Sequence, residues 1–153
     1  MESLTLVSPG FFPHEEARPG QIPRELQQLW FSLAGEQWKS LLLVPASGAN
    51  ALSLAKGLTQ VGRASGEHAS MLDATDAAPA EIGGLAREIA ARRERVLVAV
   101  DALDENPAAA ALARCCDAAL LCLLLGRSDV GSARRTVERL RARFLGSAVV
   151  LAR

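Results

Sequence analysis

SLLLVPASGANALSLAK, residues 40–56, is the stretch on which the fold turns. Its first five residues are an apolar run held between Lys39 and Pro45, short enough and apolar enough for a strand buried on both faces. Small and polar residues follow, and from about residue 50 apolar positions recur at helical spacing until Gly62. Strand, small-residue turn and helix in that order make the first half of a βαβ unit. A phosphate-binding loop would occupy the same turn, offering backbone N–H groups, then a Lys for the phosphates and a Ser or Thr for the metal. Gly48, Ala49, Asn50, Ala51, Leu52 and Ser53 are the positions where it would lie. If Ser53 takes the hydroxyl position, Ala51 and Leu52 stand where Gly and Lys are needed. If Leu52 takes it, Asn50 and Ala51 stand there instead. Neither register supplies a cation. Lys56 follows a turn later, on the face of the helix expected to be exposed.

Outward from this stretch the pattern repeats. A strand over 68–72 ends in Asp73, a helix over 80–93 carries Ile82, Leu85, Ala86 and Ile89 on one face, and a strand over 96–100 ends in Asp101. A short Ala-rich helix over 107–115 leads to a strand over 118–124. The longest helix is expected over 130–143, with Val130, Ala133, Val137, Leu140 and Phe144 as its buried stripe. Gly146 then breaks the chain before a last strand over 148–151. Upstream, Pro23 suits a helix start, residues 24–34 place Leu26, Leu29, Trp30 and Leu33 at helical spacing, and Gly35 stops the helix. Residues 1–20 are expected to be an extended or loosely ordered leader, and residues 21–153 a single α/β domain. Alternating strands and helices predict a doubly wound, mostly parallel five-stranded sheet with helices on both faces. In such sheets ligands sit beyond the carboxyl ends of the strands, here 45–50, 73–76, 101–106 and 126–129.

Composition narrows the class. A chain of 153 residues with 50% hydrophobic and 22% charged side chains has a core to bury and is not a disordered polymer. Lys+Arg and Asp+Glu are both 17, so the balance gives no nucleic-acid footprint. Arg127, Arg134, Arg135, Arg139, Arg141 and Arg143 make the last helix basic, either as a solvated face offset by Asp129 and Glu138 or as a nucleic-acid patch. The longest apolar run, 118–125, is far below the roughly 20 residues of a membrane helix. No secretory signal is expected from the first residues, and the odd set Cys115, Cys116 and Cys122 suits a reducing compartment, so a cytoplasmic location is expected. These cysteines, with His14 and His68, lack the spacing of a metal site, and no metal is expected.

Several segments, taken in order, share a likeness. Glu25 is followed at helical spacing by Gln28 and Phe31. Asp73-Ala74-Thr75 and Asp101-Ala102-Leu103 close two strands. Cys116-Asp117-Ala118-Ala119-Leu120-Leu121-Cys122 leads to Gly126-Arg127-Ser128, and Phe144-Leu145-Gly146-Ser147-Ala148-Val149-Val150-Leu151 ends the fold. From about residue 25 to 153 this order resembles the bacterial tyrosine-kinase domains of capsule and exopolysaccharide export, relatives of the MinD-like P-loop ATPases. The resemblance implies a degenerate P-loop fold. Gln28 and Phe31 stand where the family's Glu-x-x-Arg-x-x-Arg oligomer helix has arginines. Asp73 keeps the first acid of an Asp-x-Asp, Asp101 the acid of an Asp-Thr-Pro-Pro, and Ala152 stands about where an Asn helps hold the base. The Walker A lysine is missing, and these 153 residues contain no tyrosine to accept a phosphoryl group.

The expected function is therefore that of a catalytically inactive, pseudokinase-like interaction or regulatory protein in polysaccharide synthesis or export. Its expected partner is the cytoplasmic end of a membrane polysaccharide co-polymerase, a kinase homologue or a second copy. Glu25, Gln28, Trp30 and Phe31 are the contact candidates; either one aromatic is exposed or both pack inward. Asp73 and Asp101 either hold loop N–H groups or are remnants of a metal site. No cofactor is expected. One alternative is a residual nucleotide or phosphate binder using ATP and Mg²⁺ at the helix start near Asn50. Another is a RecA- or ParA-like regulator of cell division or partition.

Overall fold

The structure, a computed structural model, describes residues 4–7, 22–47, 49–126, 128–140 and 143–151. Six strands, β1 (Leu4–Val7), β2 (Ser40–Pro45), β3 (Ala69–Asp73), β4 (Arg95–Ala99), β5 (Ala118–Leu125) and β6 (Arg143–Leu151), alternate with five helices. The helices are α1 (Arg24–Ala34), α2 (Leu52–Ala64), α3 (Ile82–Ala91), α4 (Pro107–Ala113) and α5 (Val130–Arg139), and a short 3₁₀ turn, Pro79–Glu81, leads into α3. The strands lie in the order β1-β6-β5-β2-β4-β3, and every neighbouring pair is parallel. The fold is thus the doubly wound parallel α/β class, with a sixth strand beyond the five expected. That strand, β1, comes from the stretch expected to be a leader and pairs with β6 from Leu4↔Ser147 to Val7↔Val150.

The direction of travel across the sheet reverses once. From β1 through β2 to β3 the chain moves one way, and from β3 through β4 and β5 to β6 it moves back. The helices divide accordingly. Leu26, Leu29, Trp30 and Leu33 of α1 join Leu54, Leu58 and Val61 of α2 over Leu41, Leu43, Leu97 and Leu120. On the other face Ile89, Ala109, Leu112, Ala133 and Val137 cover Leu42, Val44, Val96, Val98 and Leu121. One hand for all five crossovers produces this division, as the strong preference of βαβ units requires.

At the amino edge of the sheet two tryptophans lock α1 in place. Trp30 is wholly buried and meets Trp38 edge to face, ring centroids 6.1 Å apart at 86°. Trp38 Nε1–H donates to the Leu33 carbonyl at 2.7 Å, and the Arg95 guanidinium lies 4.4 Å above its ring. Arg95 also donates to the carbonyls of Ala34 and Glu36, the end of α1 and the turn beyond it.

The carboxyl third departs from expectation. The last helix ends at Arg139, and α2, with 13 residues, is the longest. Val130 is 75% exposed rather than part of a buried stripe. Phe144 belongs to β6, yet it packs on the same core as Val137 and Leu140. Three residues reaching one core from a helix, a turn and a strand mimic helical periodicity. Gly146 does not break the chain. It sits at φ 150° inside β6, where the register with β5 slips from Phe144↔Ala119 to Gly146↔Leu120. A bulge at a conformation only glycine adopts readily carries β6 on to its pairing with β1.

A contrast between two helical glycines tests this packing. A Cβ at Gly62 would lie 2.7 Å from the Trp30 ring and 3.1 Å from the Ala69 Cβ, whereas at Gly84 it would meet nothing within 4 Å. Gly62→Ala should destabilise the chain by about 1–3 kcal/mol, and Gly84→Ala should stabilise it by about 0.5–1 kcal/mol, in urea unfolding.

Candidate functional site

β2 leaves the sheet toward α2 on one face, while its neighbours β4 and β5 leave toward α4 and α5 on the other. The carboxyl end of β2 is therefore the topological switch point, where open α/β sheets bind ligands. It is also where residues 49–53 of the expected phosphate-loop positions lie.

The turn there is closed by bonds within the protein. Ala46 is fully buried, and its N–H donates to the Cys122 carbonyl of β5 at 2.9 Å. Ser47 N–H donates to Ser132 Oγ of α5 at 3.2 Å, and Ala49 N–H to the Ala46 carbonyl at 3.0 Å. Asn50 Oδ1 accepts from the N–H of Leu52, the first residue of α2, at 2.8 Å. Ala51 is buried, and Ser53 is half-buried in the first turn. Gly48 lies outside the described residues. A phosphate cradle turns such N–H groups toward an anion. Here those of Ala46, Ser47, Ala49 and Leu52 already have acceptors. Lys56 is exposed on α2 and lines a groove with Thr59, Gln60, Arg63 and Met71 against β3.

Both strand-end acids hold loops. Asp73 accepts from the N–H and the hydroxyl of Thr75. Asp101 Oδ2 accepts from Asp76 N–H at 2.7 Å and from Asn106 Nδ2 at 3.0 Å. Asp76 sits at φ 58°, a left-handed conformation that a short polar residue tolerates. Asn106 ties the site together: its Nδ2 also donates to the Ala77 carbonyl at 3.1 Å, and its Oδ1 caps α4 by accepting from Ala108 N–H at 3.0 Å. Sequence reasoning missed Asn106 and Ser132. Asn106 followed by Pro107 is a helix-start signal that marks the cap, but its grip on the 73–77 loop had no sequence trace. Nothing in the sequence marks Ser132 as the partner of Ser47.

Among the contact candidates, Glu25, Gln28 and Phe31 are exposed, Phe31 at 58%. Trp30 is corrected: it has no exposed surface. Leu26, Leu29, Trp30 and Leu33 form the inward stripe, Gly62 opens room for the indole, and the next residue, Phe31, is carried round to solvent. Arg134 and Arg135 are exposed, and Arg139 pairs with Asp104 at 2.9 Å instead of with a neighbour on its own helix. Asp129 is the N-cap of α5, accepting from Gly131 N–H. Arg127, Arg141 and His14 lie outside the described residues, as does Ala152, and His68 is exposed.

Cys115 is exposed, whereas Cys116 and Cys122 are buried, and all three are free thiols. Burial pushes both buried thiols up to about 12, and the neighbouring Cys115 adds to the effect on Cys116. Among the described residues no group of three or more His, Cys, Asp or Glu could hold a metal ion, and no helix is long and apolar enough to cross a membrane. The chain matches no protein-family model and no curated protein.

Asp101→Ala removes the acceptor of two bonds and should cost about 1–3 kcal/mol in urea unfolding, with the loss read at the 73–77 loop by amide exchange. The thiols give a second expectation. Unfolded they ionise near 9.0, folded near 12, so the stability they contribute is whole below pH 9 and is lost as pH rises toward 12. Unfolding free energy should fall by about 1.4 kcal/mol per pH unit for each thiol across that window, and a Cys116→Ala/Cys122→Ala chain should have a flatter profile.

Proposed function

We propose that this domain is a catalytically inactive, pseudokinase-like interaction or regulatory protein, acting by contact with other proteins and without nucleotide turnover. One observation carries the non-catalytic part of the reading. At the switch point the N–H groups of Ala46, Ser47, Ala49 and Leu52 donate within the protein, and the carboxylates of Asp73 and Asp101 accept from loop donors. Phosphoryl transfer consists largely of positioning and charge neutralisation, and it needs those same donors and acids turned toward phosphate and metal, with a cation beside them. The cation is missing from the sequence at 48–53, and Lys56 lines a different groove.

The polysaccharide synthesis and export setting rests on the resemblance of residues 25–153 to the export kinases. In that setting the partner is the cytoplasmic end of a membrane polysaccharide co-polymerase, an active kinase homologue or a second copy, and the location is cytoplasmic. Replacement of the family's helix arginines by Gln28 and Phe31 argues against a ring built as that family builds it. Phe31, the large exposed apolar side chain of α1, is the anchor we assign to the contact.

A melting experiment with and without Mg-ATP or Mg-ADP tests the reading. A ligand at 100 times its dissociation constant would add about 2.7 kcal/mol of stability. No shift is expected, and a shift of that size would replace this reading with a residual nucleotide binder. Affinity capture from the native cell should recover a polysaccharide-export protein, with recovery cut at least tenfold by Phe31→Ala.

A further inference from the structure

β3 is one outer strand of the sheet, and its backbone is paired on one side only among the described residues. Its phase is set at both ends. Arg95 N–H donates to the His68 carbonyl and Ala74 N–H donates to the Ala99 carbonyl, so residues 68, 70, 72 and 74 turn their polar groups toward β4. By alternation the N–H and C=O groups of Ala69, Met71 and Asp73 point outward. The Ala69 carbonyl confirms the phase, because Arg63 Nε donates to it from outside the sheet at 2.9 Å. Beside this open edge lies the groove of about 330 Å³ lined by Lys56, Thr59, Gln60, Arg63 and Met71. Lys56, Gln60 and Arg63 recur at helical spacing on one face of α2, and neither cation has an ion-pair partner among the described residues. On the opposite face of the sheet the charges near the edge are already paired, Arg92 with Glu88 and Glu94, and Arg92 also donates to Ser70 Oγ.

We infer that the β3 edge is a strand-addition site for an extended acidic segment of a protein partner. An added strand would pair its backbone with the outward N–H groups of Ala69, Met71 and Asp73 and with the outward carbonyls of Met71 and Asp73, the Ala69 carbonyl being held by Arg63. Every second side chain would then face Lys56 and Arg63, which selects Glu or Asp at alternate positions. Unpaired edges are templates for such addition, and natural sheets block them with charge, proline or cover. Within β3 the one charged residue is Asp73 at its end; Glu67 is exposed just before the strand beside Arg63, and Lys56 and Arg63 on α2 favour an acidic occupant along the middle of the edge. A second copy offering this same surface would bring Lys56 and Arg63 close to their own counterparts, so an acidic partner is favoured over self-pairing. This inference rests on the reading of the domain as a protein-binding module and adds a second contact surface, apart from Phe31, with the chemistry of its occupant.

The test uses the full chain and two capped heptapeptides, one alternating Glu with Val and one with Lys in place of Glu. Amide exchange should slow at least tenfold at Ala69, Met71 and Asp73 with the Glu peptide, and stay unchanged at Ser70 and Leu72, whose N–H groups already face β4. Lys56→Glu should weaken Glu-peptide binding at least tenfold, and the Lys peptide should give no protection. Met71→Pro removes one outward donor at a position where an edge strand tolerates proline, and should abolish binding while far-ultraviolet circular dichroism stays that of the parent. Protection at other residues, equal binding of both peptides, or indifference to Lys56→Glu would overturn the inference. So would protection of the same amides without peptide in a concentration-dependent dimer, which would give the edge to a second copy. A nucleotide-dependent melting shift beside intact edge protection would instead overturn the non-catalytic reading alone.

Discussion

β2 is buried at all six of its positions, with β5 on one side and β4 on the other. A strand apolar on both faces can be kept from water only by helices above and below it. Leu41 and Leu43 turn to the α1–α2 layer, and Leu42 and Val44 to the layer of α3, α4 and α5. The remaining strands extend a platform that β2 defines, and the single reversal of chain direction at β3 assigns each helix to a layer. The same burial governs the turn after β2. Ala46 is as deeply buried as the strand, so its N–H has to find a protein acceptor, and it finds the Cys122 carbonyl.

That requirement spreads into the place where chemistry would be sought. A buried turn satisfies its donors first, and among the described residues the N–H groups of Ala46, Ser47, Ala49 and Leu52 do so through Cys122, Ser132, Ala46 and Asn50. Asp73 and Asp101 follow the same logic: Asp73 accepts from Thr75 within its own loop, and Asp101 with Asn106 braces the 73–77 loop against 101–106. An acid at a strand end is ambiguous by nature. The same carboxylate that would hold a metal serves equally well as an acceptor for loop N–H groups, and the neighbours decide between them. Here the neighbours are Thr75, Asp76 and Asn106, all donors.

The exposed groups on which the proposed contact reading draws lie away from the switch point. Phe31 on α1 and the groove between α2 and Met71 lie on the α1–α2 layer, away from the helices that cover the other face. Trp30 and Phe31, adjacent in sequence, show how fine the division is. A rotation of about 100° per residue along a helix sends one indole against Gly62 and the next ring into water. The Trp30–Trp38–Arg95 cluster fixes the buried side of the helix that carries Phe31.

The class of fold was legible in the order of residues, because continuous apolar runs such as 40–44 and 118–125, alternating with amphipathic segments and ended by Gly, Pro or Asp, leave little besides a parallel sheet between two helical layers. The sequence also determined the missing cation, since no folding restores a lysine absent from 48–53. Long-range pairing made Leu4–Val7 a strand, because a four-residue run has no periodicity of its own until β6 gives it a partner. It likewise moved Phe144 from helix to strand and made Gly146 a bulge, since the register of β5 against β6 is a long-range property. The choice between Trp30 and Phe31, and the partners of Ser47, Asp101 and Asn106, depended on which surfaces met. Periodicity reports that a face is buried. What it is buried against, and which polar groups remain over for other molecules, is settled by contacts between residues far apart in the chain.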